Sequence, residues 1–419
     1  MSSMKTDDNT RQKGALFDLT VVDLGHYIAG PYCASLLAGL GAEVIKVERP
    51  GDGDGTRQMG PFPDDKPHPE KSGLFHYLNL GKKSVTLNLK SEYGREALKK
   101  LVAEADVLIE NYEPRVMPSL GLGYDLLKEI NPALVMTSIS NFGQTGPYRD
   151  FKGFEITLSA LGGVQAEIGE PDREPLKLGG HQLQYKAGLA AAIVTMSAVC
   201  SLNMGGSGQH IDVAISEIAA TMKGCPTINY QFSGYNRVRN GMRPMSDTPQ
   251  KDNPRTPDVY PIAILPCTDG NVCVDTEQES QFRALCEMMG KPELADDPRF
   301  NRVQRAVNAD EVDAILTDYL QTKTQREVFA EATDWRVPIG ILNDMDKLLH
   351  DPQHRERGFF MEKDHPVLGK MEYPGHIFIM SKTPWRVDRA PMLGEHNHEI
   401  LIGRLGYSEE QVTMMIGAA

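Results

Sequence analysis

The stretch of residues 16–57 constrains the fold of this chain more than any other, because it has the pattern of one βαβ unit. Residues 19–24 form an apolar run with the length and composition of a β-strand. A helical pattern at 32–40 ends in glycines, and a second strand is predicted at 43–47. Strand, helix and strand of this length predict a parallel sheet with a right-handed crossover.

The turn at residues 25–31 is expected at the carboxyl edge of that sheet, where open α/β sheets bind ligands and a helix N-terminus favours anions. A dinucleotide-binding fold has the fingerprint GxGxxG at this point, whereas this chain has GHYIAGP. The sequence therefore predicts a nucleotide-type architecture without the nicotinamide fingerprint. On this stretch alone, a βαβ unit without any ligand is an equal alternative.

Strands and helices continue to alternate beyond this unit. The predicted strands lie at 85–89, 107–109, 134–139 and 209–213, and the helical patterns at 91–105, 124–130, 155–163, 185–203 and 214–222. This alternation predicts an α/β fold with a doubly wound parallel sheet.

The character of the sequence changes near residue 226. A polar region at 233–258 precedes a predicted hairpin at 260–275 and a mostly helical part at 278–332. We therefore expect four parts, namely a flexible tail at 1–14, a large domain at 15–225, a smaller α+β domain at 226–330 and a final part at 331–419.

The composition excludes several classes of function. A net charge of −13 argues against nucleic acid or an anionic membrane as the main partner. We find no apolar run close to the roughly 20 residues of a membrane span, and the polar N-terminus is no signal peptide. The six cysteines show no CxxC spacing, which favours a cytoplasmic protein without disulfides or a zinc site.

Several loops and edge segments, in their order along the chain, carry a family resemblance. They read DLGHYIAGPYCASLLAGLGAEVIKVERPGDGDGTR, GKKSVTLNLKSEYGREAL, LIENYEP, LGLGYDLLKEINPALVMTSISNFGQTGPY, GSGQHIDVAISE, RERGFF, HPVLGKMEYPG, TPWRV and APMLGEHNHEIL. Over residues 15–405 the chain resembles the family III CoA-transferases (CaiB/BaiF type), the group of formyl-CoA transferase and carnitine CoA-transferase.

The resemblance implies a particular architecture. Such proteins have a large doubly wound, Rossmann-like domain built from both chain ends, so residues 331–419 are expected to return to the domain formed by 15–225. The middle of the chain forms the smaller domain. Two subunits interlock like chain links, and the active site lies between the large domain of one subunit and the small domain of the other.

The resemblance also implies a reaction that needs a nucleophilic aspartate, and this chain has no aspartate at the expected position. In active members, an aspartate attacks the acyl carbon of an acyl-CoA, giving a mixed anhydride and then an aspartyl-CoA thioester. Matching Gly188 to the family glycine that opens a long apolar helix places Gln184 at the aspartate position. An amide cannot form the anhydride, so we assign no catalytic residue. Asp172 and Glu174 are the nearest acids, and they leave open a different nucleophile.

For CoA itself, the resemblance implies a set of binding residues that departs in part from the family pattern. The set is Tyr27, Ile28, Ala29, Arg49, Lys82, Lys83, Asn111 and Tyr112. For each of the two lysines, an ordinary solvated charge is an equal alternative. Glu113 and Ser119 stand where active members commonly have arginines, which weakens phosphate binding, and Arg115 can compensate.

Two other site types are disfavoured. The related α-methylacyl-CoA racemases move a proton with a His and an Asp, and here Phe154 and Gln184 occupy those positions. The spacing of His396 and His398 fits no common metal motif, so we expect structural histidines and no metal.

Three functions remain open. The first is the non-catalytic subunit of a heteromeric CoA-transferase, in which a paralogue carries the aspartate, as in succinyl-CoA:(R)-benzylsuccinate CoA-transferase of anaerobic toluene breakdown. The second is a self-sufficient CoA-transferase that uses another carboxylate. The third is a CoA-binding or structural protein without transfer activity, or a lyase or isomerase built on the same fold. In the first two, an acyl-CoA such as succinyl-CoA and an organic acid are substrates, and no cofactor is bound permanently.

Overall fold

The structure, a computed structural model, describes residues 14–239, 241 and 260–417. Its strands are β1 (Thr20–Asp23), β2 (Glu43–Glu48), β3 (Lys83–Thr86), β4 (Val107–Glu110), β5 (Val135–Ser140), β6 (Gln209–Ala214), β7 (Ile262–Cys267), β8 (Gly270–Asp275), β9 (Ile339–Ile341), β10 (Phe360–His365) and β11 (Gly369–Pro374). Strands β1 to β6 form one parallel sheet in the order β3-β2-β1-β4-β5-β6. This order confirms the predicted doubly wound α/β fold, because the sheet grows outwards from β1 and β4.

Helices connect and cover the strands. They are α1 (Ala29–Gly39), α2 (Gly73–Leu78), α3 (Glu92–Glu104), α4 (Val116–Ser119), α5 (Tyr124–Ile130), α6 (Glu155–Leu161), α7 (Gln182–Asn203), α8 (Ile215–Thr221), α9 (Gly224–Ser233), α10 (Glu279–Met288), α11 (Arg302–Val307), α12 (Ala309–Leu320), α13 (Gln325–Trp335), α14 (Met345–Leu349), α15 (Pro352–Glu356) and α16 (Glu409–Gly417). A π-helical turn, His398–Arg404, precedes α16.

Both faces of the central sheet are covered, which is why its strands read as nearly continuous apolar runs. On one face, Val22, Ile45 and Leu108 of the sheet join a core with α3, α5 and α16. Leu401 and Met415 belong to this core, so the C-terminal end of the chain packs on the same sheet as the N-terminal part.

On the other face, α1 packs against α7, which also contacts β5 and β6. A Cβ at Gly188 of α7 would lie 2.6 Å from the carbonyl oxygen of Ala29, so only glycine allows this approach. Contrary to our expectation from the sequence, α7 is long and apolar enough to cross a membrane, by length and composition alone. Packing against α1 and the sheet buries part of α7, whereas Leu189, Ile193 and Val194 on the same helix are exposed.

The chain divides into two compact units. The first, called the large unit here, comprises the described parts of Met1–Leu158, Gly179–Ala219 and Gln353–Ala419, and the small unit comprises the described parts of Ser159–Leu178 and Ala220–Pro352. The tail expected at 1–14, apart from its last residue, and most of the polar region expected at 233–258 lie outside the described residues.

The small unit contains an antiparallel sheet in the order β7-β8-β9, which includes the predicted hairpin. Helices α10, α12 and α13 supply its core, with Phe282, Leu316 and Val328 fully buried. We expected the smaller domain to end at 330, but the unit continues to Pro352. The reason is β9, because its residues pair with β8 and so belong to this sheet.

Candidate active site

The crevice between β1 and β4 is the point where the sheet changes direction, since β2 and β3 lie on one side and β5 and β6 on the other. Open α/β sheets bind their ligands at such a point, outside the carboxyl ends of the strands. The segment after β1 contains His26, and the segment after β4 begins with Asn111 and Tyr112. His26, Asn111 and Tyr112 therefore meet at this edge. Asn111 and Tyr112 belong to the CoA-binding set expected from the sequence, and His26 directly precedes Tyr27 of that set.

Hydrogen bonds hold these two segments together. The backbone N–H of His26 donates to Oδ1 of Asn111 over 2.7 Å, and Nδ2 of Asn111 donates to the carbonyl oxygen of His26 over 2.8 Å. The ring Nε2 of His26 lies 3.2 Å from the hydroxyl of Tyr112. Asn111 thus fixes the turn after β1, and the crevice has a rigid floor.

The turn itself presents one large side chain to solvent. Tyr27 has a φ of 60° and its side chain is 56% exposed, whereas Ile28 and Ala29 are buried. The N-terminus of α1 follows at once, and its N-cap residue, Ile28, has no side-chain hydrogen bond to it, so its backbone N–H groups favour an anion there. Arg49 is exposed directly after β2, at the same edge of the sheet.

The structure corrects the expectation for Lys82. Its ammonium group is fully buried and donates to Oδ2 of Asp23 (2.8 Å), the carbonyl oxygen of Pro31 (2.7 Å) and Oδ1 of Asn79 (3.0 Å). Burial lowers the pKa of Lys82 to about 8, against the attraction of Asp23. Lys82 is therefore a structural residue beneath α1, and all three of its protons are used inside the protein.

Lys83 follows as the first residue of β3, and its contact with CoA stays a prediction. It pairs in register with Ile45, which is level with Val22, one residue before the end of β1. Its ammonium group pairs with Glu43 (2.8 Å) and Glu399 (2.6 Å). Lys83 thus joins the sheet to the π-helical turn.

Sequence reasoning missed a buried ionic cluster beneath the crevice. Lys46 of β2 lies 2.8 Å from Oδ2 of Asp54 and 3.7 Å from Oδ2 of Asp23, and all three side chains are fully buried. Oδ1 of Asp54 accepts from the backbone N–H of Tyr27 over 3.2 Å and from that of Thr56 over 2.8 Å. Burial acts to raise the pKa of Asp54, but Lys46, His26 and the hydrogen bond from Thr56 together outweigh burial and lower this pKa to about 2. The cluster therefore ties the turn at Tyr27 to the sheet.

A second buried acid lies just below the crevice. Glu110, the last residue of β4, is 3% exposed, and its Oε2 accepts from the backbone N–H of Tyr112 over 2.7 Å. Burial raises the pKa of Glu110 to about 7, since the hydrogen bonds that favour its charged form are too weak to compensate. The position of Tyr112 thus depends on a carboxyl group that changes charge near neutral pH.

Gln184 lies in the first turn of α7, beside the start of α1. One turn further along α7, the close contact of Gly188 with the carbonyl group of Ala29 sets the distance between these helices. The ring of the neighbouring Tyr185 packs edge-on against Tyr32 of α1, with 5.0 Å between centroids. The structure therefore places the Gln184 segment next to the turn that precedes α1.

A carboxylate that sequence reasoning overlooked lies at the same place. Oε1 of Glu155 accepts from the backbone N–H of Leu183 over 2.8 Å, which caps α7. Its Oε2 is buried and has no hydrogen-bond partner among the described residues. The signal was present in the sequence, because Glu155 follows the position of the racemase histidine at Phe154. Asp172 and Glu174, the acids considered first, belong to the small unit.

Comparison with known proteins decides the family. The sequence model of CoA-transferase family III matches residues 16–397. The chain belongs to CoA-transferase family III. Succinyl-CoA–D-citramalate CoA-transferase of Chloroflexus aurantiacus is 34% identical to this chain, and the match covers 96% of each protein. Succinate–glutarate CoA-transferase of Agrobacterium fabrum is 32% identical, over 94% of this chain and 96% of its own length.

A further relative and a solved structure agree with this assignment. Formyl-CoA:oxalate CoA-transferase of Bradyrhizobium diazoefficiens is 32% identical over 95% of each chain. Among solved structures, a CaiB/BaiF family protein from Brucella suis superposes with a TM-score of 0.82 at 33% identity, covering 94% of this chain and all of its own. The family and fold predicted from the sequence are thus confirmed.

Within this family III CoA-transferase chain, the segment after Tyr112 has its own ion pairs. Glu113 pairs with Lys152, and with Arg115 over 3.1 Å. Arg115 was considered as a replacement for the missing family arginines, and in the structure its guanidinium faces a carboxylate of the same loop. Ser119 uses its hydroxyl to donate to the carbonyl oxygen of Val116 over 2.8 Å.

Proposed function

We propose that this chain is the non-catalytic subunit of a heteromeric CoA-transferase that moves CoA between an acyl-CoA and an organic acid. The proposal is supported by Gln184, which the family resemblance puts at the aspartate position and which lies in the first turn of α7, the helix that packs against α1. A paralogous subunit supplies the aspartate at the corresponding position of its own α7. The complex is cytoplasmic, and the two subunits interlock in the way the family resemblance implies.

The partner performs the covalent steps in this proposal. Its carboxylate attacks the acyl carbon of the thioester, and the CoA thiolate leaves as a mixed anhydride forms. The thiolate then attacks the aspartyl carbonyl, which releases the first acid and leaves aspartyl-CoA. The second acid attacks this thioester, and a second anhydride and the returning thiolate give the new acyl-CoA and the free aspartate. CoA is therefore a substrate and no permanent cofactor.

This chain contributes the scaffold and part of the binding surface. Exposed Arg49 and Tyr27, with the N-terminus of α1, are the groups we assign to CoA, and Asn111 and Tyr112 hold the turn in place. Gln184 offers hydrogen bonds to a substrate but no nucleophile. The name of the Chloroflexus aurantiacus relative supports succinyl-CoA as the donor. In its narrowest form, the proposal has (R)-benzylsuccinate as the acid.

One observation favours a second function, a self-sufficient CoA-transferase. The γ-carboxylate of Glu155 has the same chemistry as an aspartate, one of its oxygens has no partner, and it contacts the residue before Gln184. In this case Glu155 forms the anhydride and the thioester. Its bond to Leu183 argues against this function, because the oxygen that caps α7 stabilises the carboxylate as it stands.

Trapping of covalent CoA separates these functions. The purified chain is incubated with succinyl-CoA, treated with hydroxylamine or borohydride, and digested for mass spectrometry. We expect no modified carboxylate in the wild-type chain or in Gln184→Asp, since Glu113 and Ser119 still disfavour CoA. Modification of Glu155, absent from Glu155→Gln and unaffected in the matched Asp172→Asn variant, would replace the first function by the second. Turnover by Gln184→Asp alone would contradict the account of the CoA site.

A further inference from the structure

Three polar side chains from three neighbouring strands lie together on one face of the central sheet. Glu110 of β4 pairs in register with Ser138 of β5, which pairs with Asp212 of β6, and His210 stands two residues before Asp212. Residues in register, and residues two apart on one strand, share a face of a sheet. Leu108, two residues before Glu110, belongs to the core with α3, α5 and α16, so Glu110, Ser138 and His210 lie on that side of the sheet.

Hydrogen bonds connect these three side chains to one another and to the crevice. The carboxyl group of Glu110 is hydrogen-bonded to the side chain of Ser138, and its Oε2 accepts from the backbone N–H of Tyr112 over 2.7 Å. Oγ of Ser138 lies 2.8 Å from Nε2 of His210. Glu110 and Ser138 are buried, whereas His210 is exposed on β6, the last strand of the sheet. The hydrogen bonds therefore run from the crevice to the surface.

The surroundings of Glu110 favour its uncharged form. Burial removes the carboxylate from water, and the charge of Asp212 repels it. Among the described residues, no lysine or arginine acts on Glu110 to offset these effects, and only the hydrogen bonds with Ser138 and Tyr112 favour its charged form. A buried carboxyl group without a cationic partner exchanges its proton near neutral pH, in agreement with its raised pKa of about 7.

The surroundings of His210 keep its ring neutral at that pH. The ring of Tyr124 in α5 stacks on it, with 5.3 Å between centroids and 20° between planes. Burial lowers the pKa of His210 below its usual range, against the attraction of Asp212 and Asp125. Asp125 is itself paired with Lys128 over 2.6 Å. A neutral imidazole has one N–H and one acceptor nitrogen, and a hydrogen bond decides which nitrogen carries the proton.

The proton on Glu110 sets the direction of every hydrogen bond in this row. A protonated carboxyl group donates to Oγ of Ser138, whose hydroxyl then donates to Nε2 of His210, so the neutral ring carries its proton on Nδ1. An ionised carboxyl group only accepts, so the hydroxyl of Ser138 turns towards Glu110 and its Oγ accepts from Nε2–H of His210. Loss of one proton from Glu110 therefore changes the tautomer of His210.

We propose that Glu110, Ser138 and His210 form a proton relay through which the crevice responds to the pH of the solvent. The proton of Glu110 passes to Oγ of Ser138, the hydroxyl proton of Ser138 passes to Nε2 of His210, and the proton on Nδ1 leaves to water. The backbone N–H of Tyr112 then donates to a charged carboxylate, and such hydrogen bonds are the stronger ones. The relay goes beyond the proposed transfer function, because it needs neither CoA nor a partner subunit.

Nitrogen NMR of the full-length chain with isotope-labelled histidine and tyrosine tests the proposal, because protonated and unprotonated ring nitrogens resonate far apart. The resonances of His210 are identified by their loss in His210→Gln, and no CoA is added. As the pH rises from about 6 to 8, we expect Nε2 of His210 to change from an unprotonated to a protonated nitrogen, with a midpoint at about pH 7. The backbone N–H of Tyr112 should shift with the same midpoint. Glu110→Gln should abolish both changes.

Ser138→Ala separates the relay from the titration of Glu110 itself. In this variant the N–H of Tyr112 should still shift, at a higher pH because the carboxylate has lost one hydrogen bond, whereas His210 should no longer change its tautomer. Ser140→Ala, two residues further along β5, is the matched control and should respond like the wild type. One unchanged tautomer of His210 in the wild type, or a tautomer change that persists in Ser138→Ala, would overturn the proposal. Since no CoA is present, such a failure is independent of the proposed transfer function.

Discussion

At the residue scale, the crevice depends on charges that are buried beneath it. Asp54 connects the ammonium group of Lys46 to the backbone of Tyr27, and its lowered pKa of about 2 measures how strongly the folded state holds its charged form. A buried ion pair that loses one partner leaves an uncompensated charge, which is more costly than the pair was favourable.

We expect Asp54→Asn to lower the free energy of unfolding at pH 7 by about 3 kcal/mol. Since the pKa of Asp54 is lowered on folding, its contribution is complete above about pH 4 and is lost as the pH falls towards about 2. Urea unfolding at several pH values measures this, and the variant should show a smaller loss of stability in acid than the wild type. Asp52→Asn, an exposed change in the same loop, is the matched control and should change little.

Glu110 predicts the opposite dependence on pH. Its pKa is raised on folding to about 7, so the folded state keeps a proton that the unfolded chain has already lost. The contribution of Glu110 to stability is therefore highest below about pH 4.5 and falls as the pH rises through about 7, by roughly 3 kcal/mol in all. Glu110→Gln should remove this fall, which urea unfolding at pH 5 and pH 8 detects, whereas Glu129→Gln on the surface of α5 should retain it. An unchanged fall in Glu110→Gln would contradict this account.

Residue roles were the least predictable part of the site. The sequence directed attention to the segments around Tyr27 and Asn111, because both follow apolar strand runs, and the structure places both segments at the carboxyl edge of the sheet. Their contact with CoA stays a prediction. The sequence could not reveal that Lys82 is buried, since its ammonium group donates to Asp23, which lies 59 positions earlier in the chain. For Glu155 the sequence offered one signal, its place directly after Phe154, but its contact with Leu183, 28 positions later in the chain, is visible only in the structure.

At the scale of elements, the contact of α1 with α7 sets the position of Gln184 relative to the crevice. Gly188→Ala introduces a Cβ 2.6 Å from the carbonyl oxygen of Ala29, so the helices must separate, at a cost of about 1–3 kcal/mol. Gly179→Ala in the same unit meets no atom within 4 Å and should stay within about 0.5 kcal/mol of the wild type. Chemical unfolding of both variants tests this, and equal stability would contradict the close packing.

Most elements were predictable because the sheet is parallel and covered on both faces. Apolar runs of strand length then stand out between amphipathic helices, and the predicted strand at 43–47 differs from β2 by a single residue. The start of α7 was missed, since the prediction began at Tyr185 and the helix begins at Gln182. Glu155 supplies the cap of that first turn from a distant part of the chain, which no local pattern reveals.

At the scale of the whole molecule, the resemblance indicated that the chain returns to its first sheet, and the core residues Leu401 and Met415 place the C-terminal end there. The end of the small unit was less accessible to sequence reasoning. The strand β9 has three residues, which are too few to show an alternation of apolar and polar side chains. Only its pairing with β8 identifies it as a strand of the small unit.

The central claim, that this chain needs a partner with an aspartate, belongs to this scale. Native mass spectrometry of the chain alone, and of the chain expressed beside its paralogue, with succinyl-CoA added, tests it most directly. We expect a one-to-one complex in which covalent CoA is found on the paralogue alone. A stable homodimer of this chain that carries covalent CoA would contradict the claim and would show that its own polypeptide holds the nucleophile.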